Sequence, residues 1–170
     1  MVNESHSLVP TNYLLEPGYI FVATKPTVIS AVLGSSVAVS IYDRKRMVGG
    51  MNHFRVPYVH DKRRATASHG DVATLTLIHM IINEGSRTKH LEAQVFGGAY
   101  NREVSSRDIG RENIMVARRV LAKQRIRIIS EDVGGEKGRK VVFNTYSSET
   151  AVLKVERLRS ADWYPYENGR

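Results

Sequence analysis

Ser36 and His53 are the residues of this 170-residue chain whose types and spacing best suit covalent chemistry. Gly34-Ser35-Ser36 lies between two apolar, β-branched runs. A glycine followed by small residues makes a tight turn whose backbone N–H groups can point one way. Such a turn can present a nucleophile and cradle the oxyanion that forms when it adds to a carbonyl. His53 ends the next run, in Asn52-His53-Phe54-Arg55-Val56-Pro57, where Pro57 restricts the chain direction. Imidazole titrates near neutral pH, so a histidine at a strand end beside a turn hydroxyl suits the role of general base. The residues alone leave two blander readings open, a plain β-turn at 34–36 and a structural histidine at 53.

Other chemistries find less support. The remaining histidines (6, 60, 69, 79 and 90) have no ligand spacing, and the chain has no cysteine, so no metal site is expected. Gly97-Gly98-Ala99 follows an apolar run without completing a dinucleotide fingerprint. The stretch from Gly134 to Lys140 lacks the spacing and the Lys-Ser/Thr ending of a phosphate loop, and it leads into a strand instead of a helix. No cofactor is expected. Lys and Arg exceed Asp and Glu by 25 to 17, a formal charge of +8 with local runs at Lys62-Arg63-Arg64 and Arg118-Arg119. That balance favours an acidic partner. Nucleic acid is not the expected one, because no helix-turn-helix, zinc finger or aromatic RNA-binding signature accompanies the charge.

The elements that must position Ser36 and His53 are read from periodicity. Apolar residues make up 42% of the chain and charged residues 25%, as in a globular protein, and the length suits one domain. The N-terminal residues show no signal-peptide pattern, and no apolar stretch approaches the ~18–20 residues that cross a bilayer. A cytoplasmic protein without membrane insertion is expected. Short strands are predicted at 19–23, 28–33, 37–42 and 47–52. A helix is predicted over 68–84, with Val72, Leu75, Ile78 and Ile82 at helical spacing and Gly85 as its C-cap. A strand at 91–96, a second amphipathic helix at 113–123 and strands at 126–130, 140–144 and 151–155 follow. Clustered strands with two amphipathic helices, without strict βα alternation, predict an α+β fold, a single-domain layered α/β sandwich. Residues 1–12 read as a loose arm, 13–158 as the domain, and 159–170 as a tail that Trp163, Tyr164 and Tyr166 could dock.

Five segments, in order, resemble the CheD family. The family's turn reads Gly-Ser-Cys-Val-Ala-Val, and Gly34 to Val39 reads Gly-Ser-Ser-Val-Ala-Val. His53 to Pro57 matches a His-Phe-x-x-Pro segment at the family's seventeen-residue separation from the nucleophile. Leu91 to Ala99 resembles Leu-Glu-x-x-x-Phe-Gly-Gly-Ala, Ile109 to Asn113 resembles Ile-Gly-x-x-Asn, and Asp132 to Arg139 resembles Asp-x-Gly-Gly-x-x-Gly-Arg.

The resemblance implies a compact α/β sandwich that hydrolyses receptor glutamine side chains to glutamate, releasing ammonia. It implies methyl-accepting chemoreceptor cytoplasmic domains as partners, and for some members a CheC-type phosphatase. Position by position it assigns Ser36 to the nucleophile's place, His53 to the base's, and Ser30 to a hydroxyl that orients the histidine. Serine in the cysteine position changes the chemistry, because a thiol is partly thiolate near neutral pH and a hydroxyl is not. Strongly reduced activity is therefore expected. The serine admits three origins: a deliberate trap, a serine-dependent variant, or a non-catalytic adaptor that binds receptors or a CheC-type phosphatase.

Overall fold

The structure, a computed structural model, describes residues 9–163; the first eight residues of the expected arm, and Tyr164 and Tyr166 of the expected tail, lie outside the described residues. In chain order the elements are β1 (Thr11–Leu14), β2 (Tyr19–Val22), β3 (Thr27–Leu33), β4 (Val37–Asp43), β5 (Val48–Phe54), α1 (Gly70–Asn83), β6 (Leu91–Gly97), α2 (Ile109–Lys123), β7 (Arg127–Val133), β8 (Gly138–Asn144) and β9 (Thr150–Val155). They form two mixed sheets, ordered β1-β3-β8-β9 and β2-β5-β4-β6-β7. Within them β1 runs parallel to β3 and β6 parallel to β7. This is the expected α+β layered sandwich.

Side-chain alternation divides the core in two. From β4, Val37, Val39 and Ile41 pack against Ala73 and Leu77 of α1 and Leu121 of α2. The alternate residue Ala38 joins Met51 of β5 in facing Ile29, Ala31 and Phe143 of the four-stranded sheet. The five-stranded sheet is thus covered on both faces, which is why β4 reads as a nearly continuous apolar run. The four-stranded sheet buries only one face. In β3, Thr27, Ile29, Ala31 and Leu33 are buried while Val28, Ser30 and Val32 are half-exposed.

Several element boundaries, and the buried face of one helix, differ from the sequence expectation. Thr11 and Asn12, read as arm, belong to β1, an edge strand too short and polar to carry a pattern. Helix α2 starts at Ile109, four residues early, because the Asp108 carboxylate accepts from the Arg111 N–H at 2.9 Å and caps it. On α1 the buried face is Ala73, Thr74, Leu77, Ile78 and Ile81, while Val72, Leu75 and Ile82 are half-buried beside it. This helix is apolar around most of its circumference, so periodicity alone does not select its inner face.

The basic residues do not gather into one bare patch. Arg118 pairs with Glu131 at 2.8 Å, Arg127 with Glu92 at 2.9 Å, and Arg63 with Asp61 at 3.0 Å. A different arginine holds the fold. Arg139 is 2% exposed, and it donates to the Asp132 carboxylate at 2.8 Å, the Gly134 carbonyl at 2.8 Å and the Lys137 carbonyl at 3.1 Å. This side chain closes the β7–β8 loop and accounts for the Asp-x-Gly-Gly-x-x-Gly-Arg pattern. Removing one partner of a buried pair strands the other's charge and hydrogen bonds. Arg139→Leu is expected to lower the unfolding free energy by about 2–4 kcal/mol, discounted because Asp132 keeps some solvent contact. Urea denaturation checks this, and a loss under about 0.5 kcal/mol would leave the clamp without a structural role.

Candidate active site

The tight turn between β3 and β4 holds Ser36 at the mouth of β4, and β5 pairs beside it in antiparallel register. His53 lies opposite Ala38 in that register, so its ring projects toward the four-stranded sheet from the same face. The result is a hydrogen bond of 2.9 Å between Ser36 Oγ and His53 Nε2. The other ring nitrogen, Nδ1, lies 3.0 Å from the Leu15 carbonyl oxygen. A carbonyl can only accept, so Nδ1 carries the proton and Nε2 presents its lone pair to the serine hydroxyl. That tautomer is the one a general base needs.

Both side chains are nearly enclosed, Ser36 being 5% exposed and His53 1%. Burial pushes the His53 pKa down from 6.5 to about 4. The Leu15 carbonyl opposes this by favouring the protonated ring; Arg55 pushes further down and Asp162 pulls weakly upward. At neutral pH the imidazole is therefore the free base.

Ser30 does not orient this ring. Its side chain alternates onto the half-exposed face of β3, away from the space between the sheets. What Ser30 contributes is its backbone carbonyl, which accepts from the Leu15 N–H at 2.8 Å. Leu15 leaves β1 there, and the Gly18 N–H then donates to the His53 carbonyl at 2.7 Å as the chain enters β2. Leu15 was not among the residues expected at the site. A backbone carbonyl has the same chemistry at every position, so no signal in the sequence marks it.

The turn itself is anchored through its carbonyls. Gly34 O accepts from the Ala99 N–H at 2.9 Å and Ser36 O from the Gly98 N–H at 2.8 Å. Ser35 O accepts from the Asn113 side-chain amide at 3.0 Å. Gly97, at φ +99°, brings the end of β6 so close that a Cβ there would collide with the Ser36 carbonyl. The Phe-Gly-Gly-Ala segment is thus the cradle of the turn. Asn113 had a visible signal, its place in Ile-Gly-x-x-Asn, but no role could be read from it.

Against His53 lies a cavity of about 380 Å³, lined by Leu14, Pro17, His53, Arg55, Arg159 and Asp162 among others, though not by Ser36 itself. A larger hollow of about 540 Å³ between the 101–104 loop and the 156–163 segment is lined by neither Ser36 nor His53. Chemistry, not size, selects the first. The segment after β9 covers its rim: the Asp162 carbonyl lies so close to Gly34 that a Cβ there would collide with it. Trp163 lines a small hollow with Ser35 and Tyr100. Ending the chain at Leu158 is expected to uncover the site. In a Ser36→Cys background, iodoacetamide should then alkylate the thiol several-fold faster; an unchanged rate would mean the segment does not limit access.

Among the described residues, no group of three or more His, Cys, Asp or Glu side chains could hold a metal ion. No helix among them is long and apolar enough to cross a membrane.

Comparison with known proteins finds a family model described as CheD chemotactic sensory transduction matching residues 57–154, more than half of the chain. That stretch begins beyond Ser36 and His53; the longer pairwise matches are to curated relatives. The chain is 43% identical over 132 residues to a probable chemoreceptor glutamine deamidase CheD 1 of Anaeromyxobacter dehalogenans, covering 76% of this chain and 77% of the relative. It is 35% identical over 141 residues to a probable chemoreceptor glutamine deamidase CheD of Sulfurimonas denitrificans, covering 81% and 90%. With a protein of the same description from Trichlorobacter lovleyi it is 40% identical over 135 residues, covering 78% and 84%.

Proposed function

This chain belongs to the CheD family, and on that premise we propose that it hydrolyses glutamine side-chain amides of chemoreceptors, with Ser36 as nucleophile and His53 as base. The observation that carries the reading is the 2.9 Å contact of Ser36 Oγ with a histidine nitrogen that must be unprotonated. The relatives' descriptions supply the substrate, chemoreceptor glutamine. The proposed setting is the cytoplasm, where receptor signalling domains lie. A CheC-type phosphatase is a further proposed partner.

The reaction runs in two halves. Ser36 Oγ adds to the carboxamide carbon as His53 Nε2 takes the hydroxyl proton. The oxyanion then re-forms the carbonyl, the C–N bond breaks, and His53 gives its proton to the departing nitrogen, which leaves as ammonia. The resulting glutamyl ester on Ser36 is attacked by water while Nε2 accepts a proton. Collapse returns that proton to Ser36 Oγ and frees glutamate. Among the described residues the Ser36 N–H has no hydrogen-bond partner, which suits it to stabilise the oxyanion.

Intact-mass spectrometry of a purified receptor cytoplasmic fragment, incubated with this protein and then peptide-mapped, tests the reading. A gain of about one dalton at specific glutamines, abolished by His53→Ala, supports it. No gain with either this protein or its Ser36→Cys variant would overturn it, and receptor binding without turnover would make the chain an adaptor.

A further inference from the structure

Asn113 is a buried polar side chain bonded to the nucleophile turn that the two-step chemistry does not use. It is 0% exposed, and its amide nitrogen donates twice, to Ser35 O at 3.0 Å and to Arg55 O at 2.9 Å. Its amide oxygen is buried without a partner among the described residues. A buried acceptor left unpaired costs stability, so the site tolerates that cost to place two donors here. An aspartate cannot donate, and a leucine has no polar group to offer. The residue sits near the start of α2, where Gly110 lets the helix backbone touch Gly98 and Ala99, the residues that hold the other two turn carbonyls.

We propose that Asn113 is a positioning residue that orients the Ser35–Ser36 peptide so that its N–H serves the oxyanion. The argument rests on the geometry of a trans peptide. The Ser35 carbonyl and the Ser36 N–H belong to one plane and point in opposite directions. Asn113 holds that carbonyl toward the helix layer. The N–H is thereby turned toward the opposite side, where Ser36 Oγ meets His53. With Gly34 O and Ser36 O tied to Ala99 and Gly98, all three carbonyls of the turn are committed and the peptide cannot flip. The second bond, to Arg55 O, ties the same amide to the strand end two residues past His53. One side chain therefore spans the nucleophile turn and the base strand, which fixes both the donor's direction and its distance from the ring.

This inference rests on the proposed reaction, and the test separates the two. In the full-length Ser36→Cys protein, p-nitrophenyl acetate acylates the thiolate through a tetrahedral oxyanion, with p-nitrophenolate leaving. Iodoacetamide alkylates the same thiolate by displacing iodide, with no oxyanion. Asn113→Ala and Asn113→Asp are expected to slow acylation about 10- to 100-fold, somewhat less than outright loss of an oxyanion donor. Alkylation should stay within about threefold, because it needs only an accessible thiolate. The milder Asn113→Ser keeps one donor and should fall between, which preserves the comparison if the others fold poorly. An equal loss of both reactions would make Asn113 merely structural and overturn the proposal, as would no loss of either. Failure of the parent Ser36→Cys protein to acylate at all, with alkylation intact, would sink the active-site reading itself and the inference with it.

Discussion

Ser36→Cys should raise the rate of receptor-glutamine hydrolysis at pH 7.5 by about 10²- to 10⁴-fold, the upper figure being the loss seen when a catalytic histidine is deprived of its carboxylate. The reason lies in the partner of Nδ1. It is a carbonyl at 3.0 Å, which selects the tautomer but offers no negative charge to an imidazolium. Burial already holds the His53 pKa near 4. Placing a proton on it at neutral pH therefore costs roughly 4 kcal/mol before any substrate bond changes. A hydroxyl nucleophile needs that proton transfer in its transition state. A thiol, with a reference pKa of about 8.5, ionises partly on its own and depends on the imidazolium far less. Ammonia release from the two proteins, measured side by side on the same receptor fragment, decides the matter. Equal rates would mean that some further group stabilises the charged ring.

His53→Ala is the second large effect. The Ser36 form should lose all measurable turnover, and the Ser36→Cys form at least about 10³-fold, because base loss in such an assembly removes most of the catalytic rate. The same ring sets the pH dependence. Activity needs the neutral imidazole, so the acid limb of kcat/KM should fall near pH 4, not near the ordinary 6.5. Stability follows the same sign. The folded pKa lies below the unfolded one, so between about pH 4 and 6.5 the unfolded chain binds more protons. The contribution is whole above about 6.5 and drains away as pH falls toward 4, by roughly 3 kcal/mol in all. Urea denaturation at pH 7 and pH 5 should show this slope in the parent and lose it in His53→Ala. A slope that persists would have to be assigned to carboxylates.

Ser36 and His53 stood out as a candidate pair because a hydroxyl in a glycine turn and an imidazole lie at strand ends seventeen residues apart, and because the family resemblance singled out both positions. Most strands and both helices followed from periodicity, and the layered α+β class followed from their order. The edge strand β1 did not, since Thr11–Leu14 is exposed throughout and has no alternation to read. The inner face of α1 was also hidden, because a helix apolar on most sides leaves its rotation to the sheet it meets.

Only the tertiary structure decided how the pair is held. Family resemblance assigned the histidine's partner to the Ser30 hydroxyl, but β-strand alternation turns that side chain to the half-exposed face of β3. The Leu15 carbonyl takes the place instead, delivered by a strand whose first two residues read as loose arm. The turn's orientation depends likewise on the N–H groups of Gly98 and Ala99 and on an amide from α2, 78 residues away in sequence. The amino-acid sequence by itself determined the candidate reactive side chains, because side-chain chemistry is written in residue type. It was silent on the groups that aim them. Those are backbone donors and acceptors, identical along the whole chain, which acquire a role only when folding brings one of them to within 3 Å of its target.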